Sequence, residues 1–182
     1  MQWHMPDPET DLKPDLLPLR FTTGKPVMQP NSKREQFYME VGEAMAMNTA
    51  KSYINLQTLA VEINPEEILE YQKEGNWNQE GFDDEDKYLP IETIGSSESF
   101  RFMEAFAETL KDKNLQSRLI QSLEGKKPFA NFKVVVENSP ARQAWFDFRN
   151  NQHTSRAKEW IEDYAPDELK ERIKQLPAVF VV

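Results

Sequence analysis

The sequence contains no cysteine, and this absence removes several kinds of chemistry. Disulfide bonds, thiolate catalysis and cysteine-ligated zinc sites all need that residue. Histidine is nearly as scarce, since His4 and His153 are the two copies in 182 residues, and a catalytic triad or a histidine-rich metal centre is therefore not expected. The phosphate-binding patterns G-x-x-x-x-G-K-[ST] and G-x-G-x-x-G are missing as well, which leaves a standard nucleotide cradle without support. We expect no enzyme activity, no cofactor and no metal.

Long apolar runs and an excess of positive charge are also missing. No run reaches the roughly 18 apolar residues that a membrane span requires, and the start, MQWHMPDPETD, is acidic and contains prolines, unlike a signal peptide. These features predict a cytoplasmic protein without membrane association. Lysine and arginine number 22 against 31 aspartate and glutamate residues, a net charge of −9. This balance argues against nonspecific binding of nucleic acid or anionic membranes by the whole surface.

The composition that remains is that of a folded chain. Hydrophobic residues make up 38% and charged residues 29% of the sequence, as in globular proteins. Six prolines in the first 31 residues predict an extended arm over residues 1–31. Residues 32–182 are predicted to form one helix-rich α+β domain with a small antiparallel sheet and a C-terminal helical unit. We divide it into a hairpin with helices at 32–95, the helical unit at 96–165 and a C-terminal tail at 166–182.

The predicted domain begins with a helix. Asn31 or Ser32 is expected to cap it, and it is expected to run to about Met47. Gly42 in its middle is expected to weaken it by roughly 1 kcal/mol relative to alanine. Its buried face carries the apolar residues that recur at helical spacing, Phe37, Val41 and Met45.

Two stretches predict β-strands. Apolar and polar residues alternate over Lys51–Ile63, and the alternation changes phase at Gln57-Thr58, which predicts a hairpin. A third strand is predicted within Tyr88–Ile94, and Pro90 confines it to the edge of the sheet because proline lacks a backbone donor.

Further helices are predicted at residues 64–75, 96–110 and 112–123, and a last short one after Pro166. In the helix at 112–123 the predicted buried residues are Leu115, Leu119, Ile120 and Leu123. The acidic run Asp83–Asp86 lacks the spacing of a calcium loop, so it is predicted to be an exposed loop without a bound cation.

The stretch from residue 125 to residue 160 holds the most specific pattern. Gly125 is predicted to adopt a left-handed conformation after a helix end, Pro128 to start the next helix, and Ser139 to cap the one after it. The predicted core positions are the aromatic and aliphatic residues at helical spacing: Phe129, Phe132, Val136, Trp145, Phe148, Trp160, Ile161 and Tyr164. The alternative is that these rings form a stacking platform for a base or a proline-rich ligand.

The same stretch resembles an uncharacterised bacterial family of small cytoplasmic proteins with unknown function. The resemblance rests on three short motifs, Gly125-x-x-x-Phe129-x-x-Phe132-Lys133, Trp145-x-x-Phe148-Arg149 and Ala157-x-x-Trp160. Upstream, residues 44–47 and 53–58 are similar to a helix and hairpin of that family, so the resemblance extends over residues 35–164. It implies a fold and supplies no reaction.

Basic residues are concentrated in the C-terminal half. Residues 101–163 contain eleven basic and nine acidic residues, a net charge of +2 against −9 overall. The candidate interaction face comprises Lys126, Lys127, Lys133, Arg149 and His153. His153, which lies between Arg149 and Arg156 in sequence, is expected on the surface.

The sequence thus predicts a noncatalytic cytoplasmic interaction or regulatory module that binds a protein partner. The alternative is a nucleic-acid-associated protein that uses the mildly basic, aromatic C-terminal helical face. Salt-dependent binding of RNA or DNA would favour the alternative. An enzyme is the third hypothesis, which a bound metal or catalytic turnover would favour.

Overall fold

The structure, a computed structural model, describes residues 32–64, 82 and 84–178. Helix α1 spans Lys33–Met45, and Ser32 caps it as predicted, because its hydroxyl accepts a hydrogen bond from the backbone N–H of Glu35 at 3.1 Å. The predicted face is buried and consists of Phe37, Val41 and Met45. The predicted arm at 1–31 and the predicted helix at 64–75, apart from its first residue, lie outside the described residues.

A three-stranded antiparallel sheet follows α1. Strand β1 (Ser52–Asn55) lies between β2 (Val61–Ile63) and β3 (Tyr88–Pro90). The predicted hairpin is confirmed, with Tyr53 opposite Glu62 in one ladder and opposite Pro90 in the other. Pro90 lies on an outer strand, as its missing N–H requires.

The hairpin turn uses side-chain chemistry that the sequence pattern did not reveal. The Asn55 side-chain oxygen accepts hydrogen bonds from the N–H groups of Gln57 and Thr58 at 3.0 and 3.1 Å, an Asx-type turn. Leu59 then takes a left-handed conformation with φ 61°. A glycine is therefore not needed to reverse the chain here.

Five further helices follow the sheet in the described chain: α2 (Ser96–Thr109), α3 (Lys113–Leu123), α4 (Pro128–Glu137), α5 (Arg142–Tyr164) and α6 (Asp167–Gln175). The fold is therefore α+β and helix-rich, as predicted. Asp112 caps α3 by accepting from the N–H groups of Asn114 and Leu115, and Pro128 occupies the first turn of α4. Residues 84–86 of the acidic run are exposed, whereas Asp83 lies outside the described residues.

Several predictions for helix faces and caps are wrong. Gly125 is not left-handed; the residue with φ 61° is Lys127, directly before α4. Ser139 does not cap α5, which begins after Ala141 without a side-chain cap; its hydroxyl instead closes a turn with Val136 and Ala141. Three predicted core residues are exposed, by 40%, 44% and 66%: Ile120, Phe129 and Tyr164. Ile120 lies at the margin of the apolar stripe of α3. Phe129 lies in the first turn of α4, and Tyr164 is the last residue of α5, so the elements packed against these helices cover them less.

The buried residues form two apolar clusters, and α5 contributes to both. The first cluster joins α1, β1, α6 and the C-terminal half of α5, with Ile54, Trp160, Ile161, Leu169 and Ile173 among its members. The second joins α2, α3, α4 and the start of α5, with Phe106, Leu119, Phe132, Val136 and Trp145 among its members.

Helices α1 and α5 approach each other closely at Gly42. A Cβ atom added there would lie 2.7 Å from the backbone carbon and oxygen of His153 and 3.0 Å from the backbone nitrogen of Thr154. Only a residue without a side chain fits at this distance. Gly42 is therefore the contact point between two helices, and its low helix propensity is offset by their packing.

Candidate functional site

Helix α4 buries one side against α3 and α5 and exposes the other. At about 100° per residue, the buried Phe132 and Val136 lie on one side of the helix. The other side carries Ala130, Lys133, Val134 and Glu137, whereas Phe129 lies at the edge of the buried side, about 20° around the helix from Val136; all five are exposed. We call these five residues the α4 outer face. Phe129 is 44% and Val134 62% exposed, so two large apolar side chains remain partly in solvent after the domain has packed.

Basic side chains adjoin this face. Lys126 and Lys127 precede α4, Lys133 lies within it, and all three are exposed. Lys133 approaches the Glu137 carboxylate at 3.9 Å, an exposed pair that contributes little to stability. The Asn131 side chain fixes the entry to the helix by donating to the Lys126 carbonyl at 2.9 Å.

Phe132 is a core residue. Its side chain is 1% exposed, and its ring lies 5.0 Å from Trp145 and 6.5 Å from Phe106 in edge-to-face contacts. A stacking platform for a base would need an accessible ring face, and Phe132 has none. The neighbouring Phe129 contacts Phe100 edge-on at 6.4 Å while much of its ring faces solvent.

His153 is buried, so its predicted surface position is wrong. The side chain is 8% exposed, because α1 approaches α5 at Gly42 and Phe102 of α2 lies 5.9 Å from the imidazole ring. Burial, and secondly the positive charge of Arg149, lower the pKa of His153 to about 4. The imidazole is therefore neutral near pH 7 and cannot attract an anion.

Arg149 lies one turn before His153 and is half-buried. Its guanidinium carbon is 5.1 Å from the centre of the Phe146 ring, and that of Arg142 is 4.8 Å from the same centre. Burial lowers the pKa of Arg149, and the negative charge of Glu43 opposes this effect. The Nε–H group of Arg149 is buried without a hydrogen-bond partner.

The five predicted site residues therefore divide into two groups. The three lysines border the α4 outer face, whereas Arg149 and His153 lie on α5, and among residues 32–64, 82 and 84–178 no ion pair, hydrogen bond or ring contact joins the groups. The sequence analysis missed Val134, Phe146 and Arg142. A signal for Val134 was present, because apolar residues at 129, 132, 134, 135 and 136 exceed a single helical stripe.

Other sites are less developed. A cavity of about 190 Å³ lies beside the hairpin turn, where Arg172 donates to the carbonyl oxygens of Leu56 and Gln57. Within the described ranges, no group of three or more histidine, aspartate or glutamate side chains is arranged to hold a metal ion. The helices described here also include none that is long and apolar enough to cross a membrane.

Comparison with known proteins supports the resemblance stated from the sequence. Searches of curated proteins and of solved structures found no match. A family model described as an uncharacterised protein family, UPF0158, matches residues 65–177, which is more than half of the chain and includes α2 to α6. The upstream resemblance at residues 35–64 lies outside the matched range. The chain belongs to the uncharacterised protein family UPF0158, for which no function is established.

Proposed function

We propose that this protein is a noncatalytic cytoplasmic interaction module that binds a protein partner through the α4 outer face. The observation that carries the proposal is the exposure of Phe129 and Val134 beside three lysines. Solvent-exposed apolar side chains surrounded by charged ones are typical of protein interfaces, which have an apolar centre and a polar rim.

The exposed large apolar residues are unevenly distributed. Five occur among the described residues, and three of these lie on α3 and α4: Ile120, Phe129 and Val134. One of the three is aromatic, and aromatic side chains are enriched among the residues that dominate binding energy. Among the described residues, α3 and α4 therefore carry most of the exposed large apolar side chains, and two of these three are on α4.

Charge defines the chemistry of the partner. Residues 111–137 contain six basic and three acidic residues, a net charge of +3. Because the whole chain has a net charge of −9, the other residues together carry −12. A partner segment that combines apolar side chains with aspartate or glutamate would complement both properties of this surface. A nucleic acid would use the lysines but would leave Val134 without a matching contact, so we favour a protein.

The test begins with a photocrosslinking amino acid at position 134 in cells that express the protein. The partner captured by the crosslink is then identified and purified, and its affinity for this protein is measured by calorimetry. Val134→Glu should weaken binding by at least about tenfold, because it places a charge in the apolar centre and opposite the partner's carboxylates. Tyr164→Glu is the matched control, since Tyr164 is also a large exposed residue in a helix, and it should leave the affinity unchanged.

Both variants should retain the wild-type melting temperature, because exposed substitutions usually change stability by less than about 0.5 kcal/mol. Equal affinities for wild type and Val134→Glu would contradict the proposal. So would salt-dependent binding of RNA or DNA that Lys133→Glu abolishes and Val134→Gln leaves intact, and that result would establish the nucleic-acid alternative instead.

A further inference from the structure

The partly buried arginines of the described chain differ in whether the protein supplies acceptors for their guanidinium groups. There are four of them, Arg34, Arg149, Arg156 and Arg172. Three have protein acceptors: Arg34 donates to the carbonyls of Lys174 and Leu176, Arg156 pairs with Glu92 and Glu98, and Arg172 donates to the carbonyls of Leu56 and Gln57. Arg149 has no hydrogen-bond acceptor or ion-pair partner among residues 32–64, 82 and 84–178.

The position of Arg149 makes this difference costly. A guanidinium group withdrawn from water needs acceptors for its N–H donors and a counter-charge. The Nε–H groups of Arg34 and Arg149 are both buried without a partner, but the Nη groups of Arg34 have acceptors and those of Arg149 have none among the described residues. The nearest ring, Phe146, supplies cation–π attraction at 5.1 Å but no acceptor lone pair. The remaining Nη donors are the groups through which an external anion could bind.

A second guanidinium group adjoins the same ring. Arg142 lies 4.8 Å from the Phe146 ring centre, and residues 142, 146 and 149 follow helical spacing, so all three lie on one side of α5. Stacking on one ring restrains both arginines and brings two positive charges to one surface. The two positive charges repel each other, and an anion bound between them would offset this repulsion.

We propose that Arg142 and Arg149 form a binding site for a phosphate group, carried either by inorganic phosphate or by a small phosphate monoester. A phosphate monoester carries a charge of about −1.5 to −2 at pH 7, which matches the two guanidinium groups. Guanidinium forks bind phosphate oxygens through paired, charge-assisted hydrogen bonds. The site lies on α5, and it does not depend on the partner proposed for the α4 outer face.

Glu43 on α1 supplies the competing explanation. Its carboxylate is close enough to raise the pKa of Arg149, although it forms no ion pair with it in the structure, and Glu43 itself is exposed. If Glu43 rotated to bind Arg149 in solution, no external anion would be needed. Asp147 of α5 lies at least about 100° around the helix from Arg142, Phe146 and Arg149, and it accepts a hydrogen bond from Gln143 at 2.9 Å.

The experiment is a calorimetric and ³¹P NMR titration of the full chain at constant ionic strength. Inorganic phosphate, glycerol phosphate and acetate are the three probes, and a dissociation constant below about 1 mM is expected for at least one of the phosphates. Acetate should bind at least about tenfold more weakly, since it carries one charge. Comparison of the two phosphates shows whether the free ion or the monoester is the preferred form.

Three variants locate the site. Arg149→Lys keeps the charge but removes the planar fork, and it should weaken phosphate binding by at least about tenfold; Arg142→Gln should have a similar effect. Arg118→Gln is the control, because Arg118 is an exposed arginine on α3. This variant should bind phosphate with the same affinity as the wild type. If Arg149→Lys does not fold, the phosphate affinity of Arg142→Gln tests the proposal alone, because Arg142 is exposed and its replacement should not disturb folding.

Glu43→Gln separates the two explanations. At a phosphate site it removes a repulsive charge, so phosphate affinity should rise and the melting temperature should not fall. A lower melting temperature with unchanged phosphate affinity would show that Glu43 is the acceptor of Arg149 and would overturn the proposal. Binding seen only at tens of millimolar, or an equal loss in Arg118→Gln, would overturn it as well.

Discussion

Replacing Gly42 by alanine tests the packing of α1 on α5 directly. The added methyl group would lie 2.7 Å from the backbone carbon and oxygen of His153 and 3.0 Å from the backbone nitrogen of Thr154. These are main-chain atoms in the middle of a 23-residue helix, so no side-chain rotation can relieve the contact. The two helices must move apart, and the residues of the first apolar cluster must move with them.

Two opposing effects determine how much Gly42→Ala changes the free energy of unfolding. Alanine is favoured over glycine in a helix interior by about 1 kcal/mol, and this gain would be seen alone if Gly42 faced solvent. Carbon atoms normally pack at about 3.5–4.0 Å, so the helices must separate by roughly 1 Å. Overpacking of this kind costs about 1–3 kcal/mol, and the upper end applies because the obstacle is backbone. The expected net loss is about 2 kcal/mol, or a melting temperature lower by about 4–8 °C for a chain of this size.

Urea and thermal unfolding followed by circular dichroism would measure this loss. Gly125→Ala is the control, because the nearest atom to its added Cβ would be the Asn131 amide nitrogen at 3.8 Å, an ordinary contact. That variant should change stability by less than about 0.5 kcal/mol. If Gly42→Ala were as stable as the wild type, or more stable, the helix propensity would dominate and the close approach of α1 and α5 would be refuted.

Three further predictions concern single side chains. Phe132→Ala should lower the free energy of unfolding by about 3–5 kcal/mol, since the ring is almost fully buried, whereas Lys133→Ala should change it by less than about 0.5 kcal/mol; equal urea midpoints would contradict this. Lys127→Gly should raise the melting temperature, because φ 61° costs a residue with a Cβ about 1–2 kcal/mol, and an unchanged value would argue against strain there. Stability should fall by up to about 3 kcal/mol as the pH decreases from about 6.5 towards 4. In this range His153 binds a proton in the unfolded chain but stays neutral in the folded protein, where its pKa is about 4. The variant His153→Gln should therefore show a smaller change in stability between pH 7 and pH 5.

Local signals predicted those parts of the fold that depend on neighbours in sequence. The capping serine at residue 32, the proline that opens α4 and the phase change in the hairpin each act within about four residues, and the structure confirms all three. Two local signals were wrong, the left-handed Gly125 and the capping Ser139, because Lys127 takes the left-handed conformation and α5 begins after Ala141. All three residues predicted for the buried face of α1 and three of the four predicted for α3 are buried, because the apolar spacing repeats over several turns. Only the margins of the stripes were wrong, as at Ile120.

Features that depend on distant segments could not be predicted in this way. Gly42 reads as a weak point of α1 until α5, more than a hundred residues away, is placed against it. The same contact buries His153, whose sequence neighbours are polar and charged. At the candidate site the lysines at 126, 127 and 133 are exposed, and their role in binding stays a prediction, whereas the missing acceptor of Arg149 becomes visible only when the contacts of every other partly buried arginine are known.

Helix α5 connects the two apolar clusters. Its N-terminal part supplies Trp145 to the second cluster, and its C-terminal part supplies Trp160 and Ile161 to the first. Because one continuous helix serves two apolar clusters, neither cluster can unfold without releasing side chains of the other, and this favours cooperative unfolding. The segment between the clusters contains Arg149 and His153, which belong to neither cluster. His153 is nevertheless buried, because the close approach of α1 at Gly42 covers it, so its environment is set by helix packing and not by its own sequence neighbours.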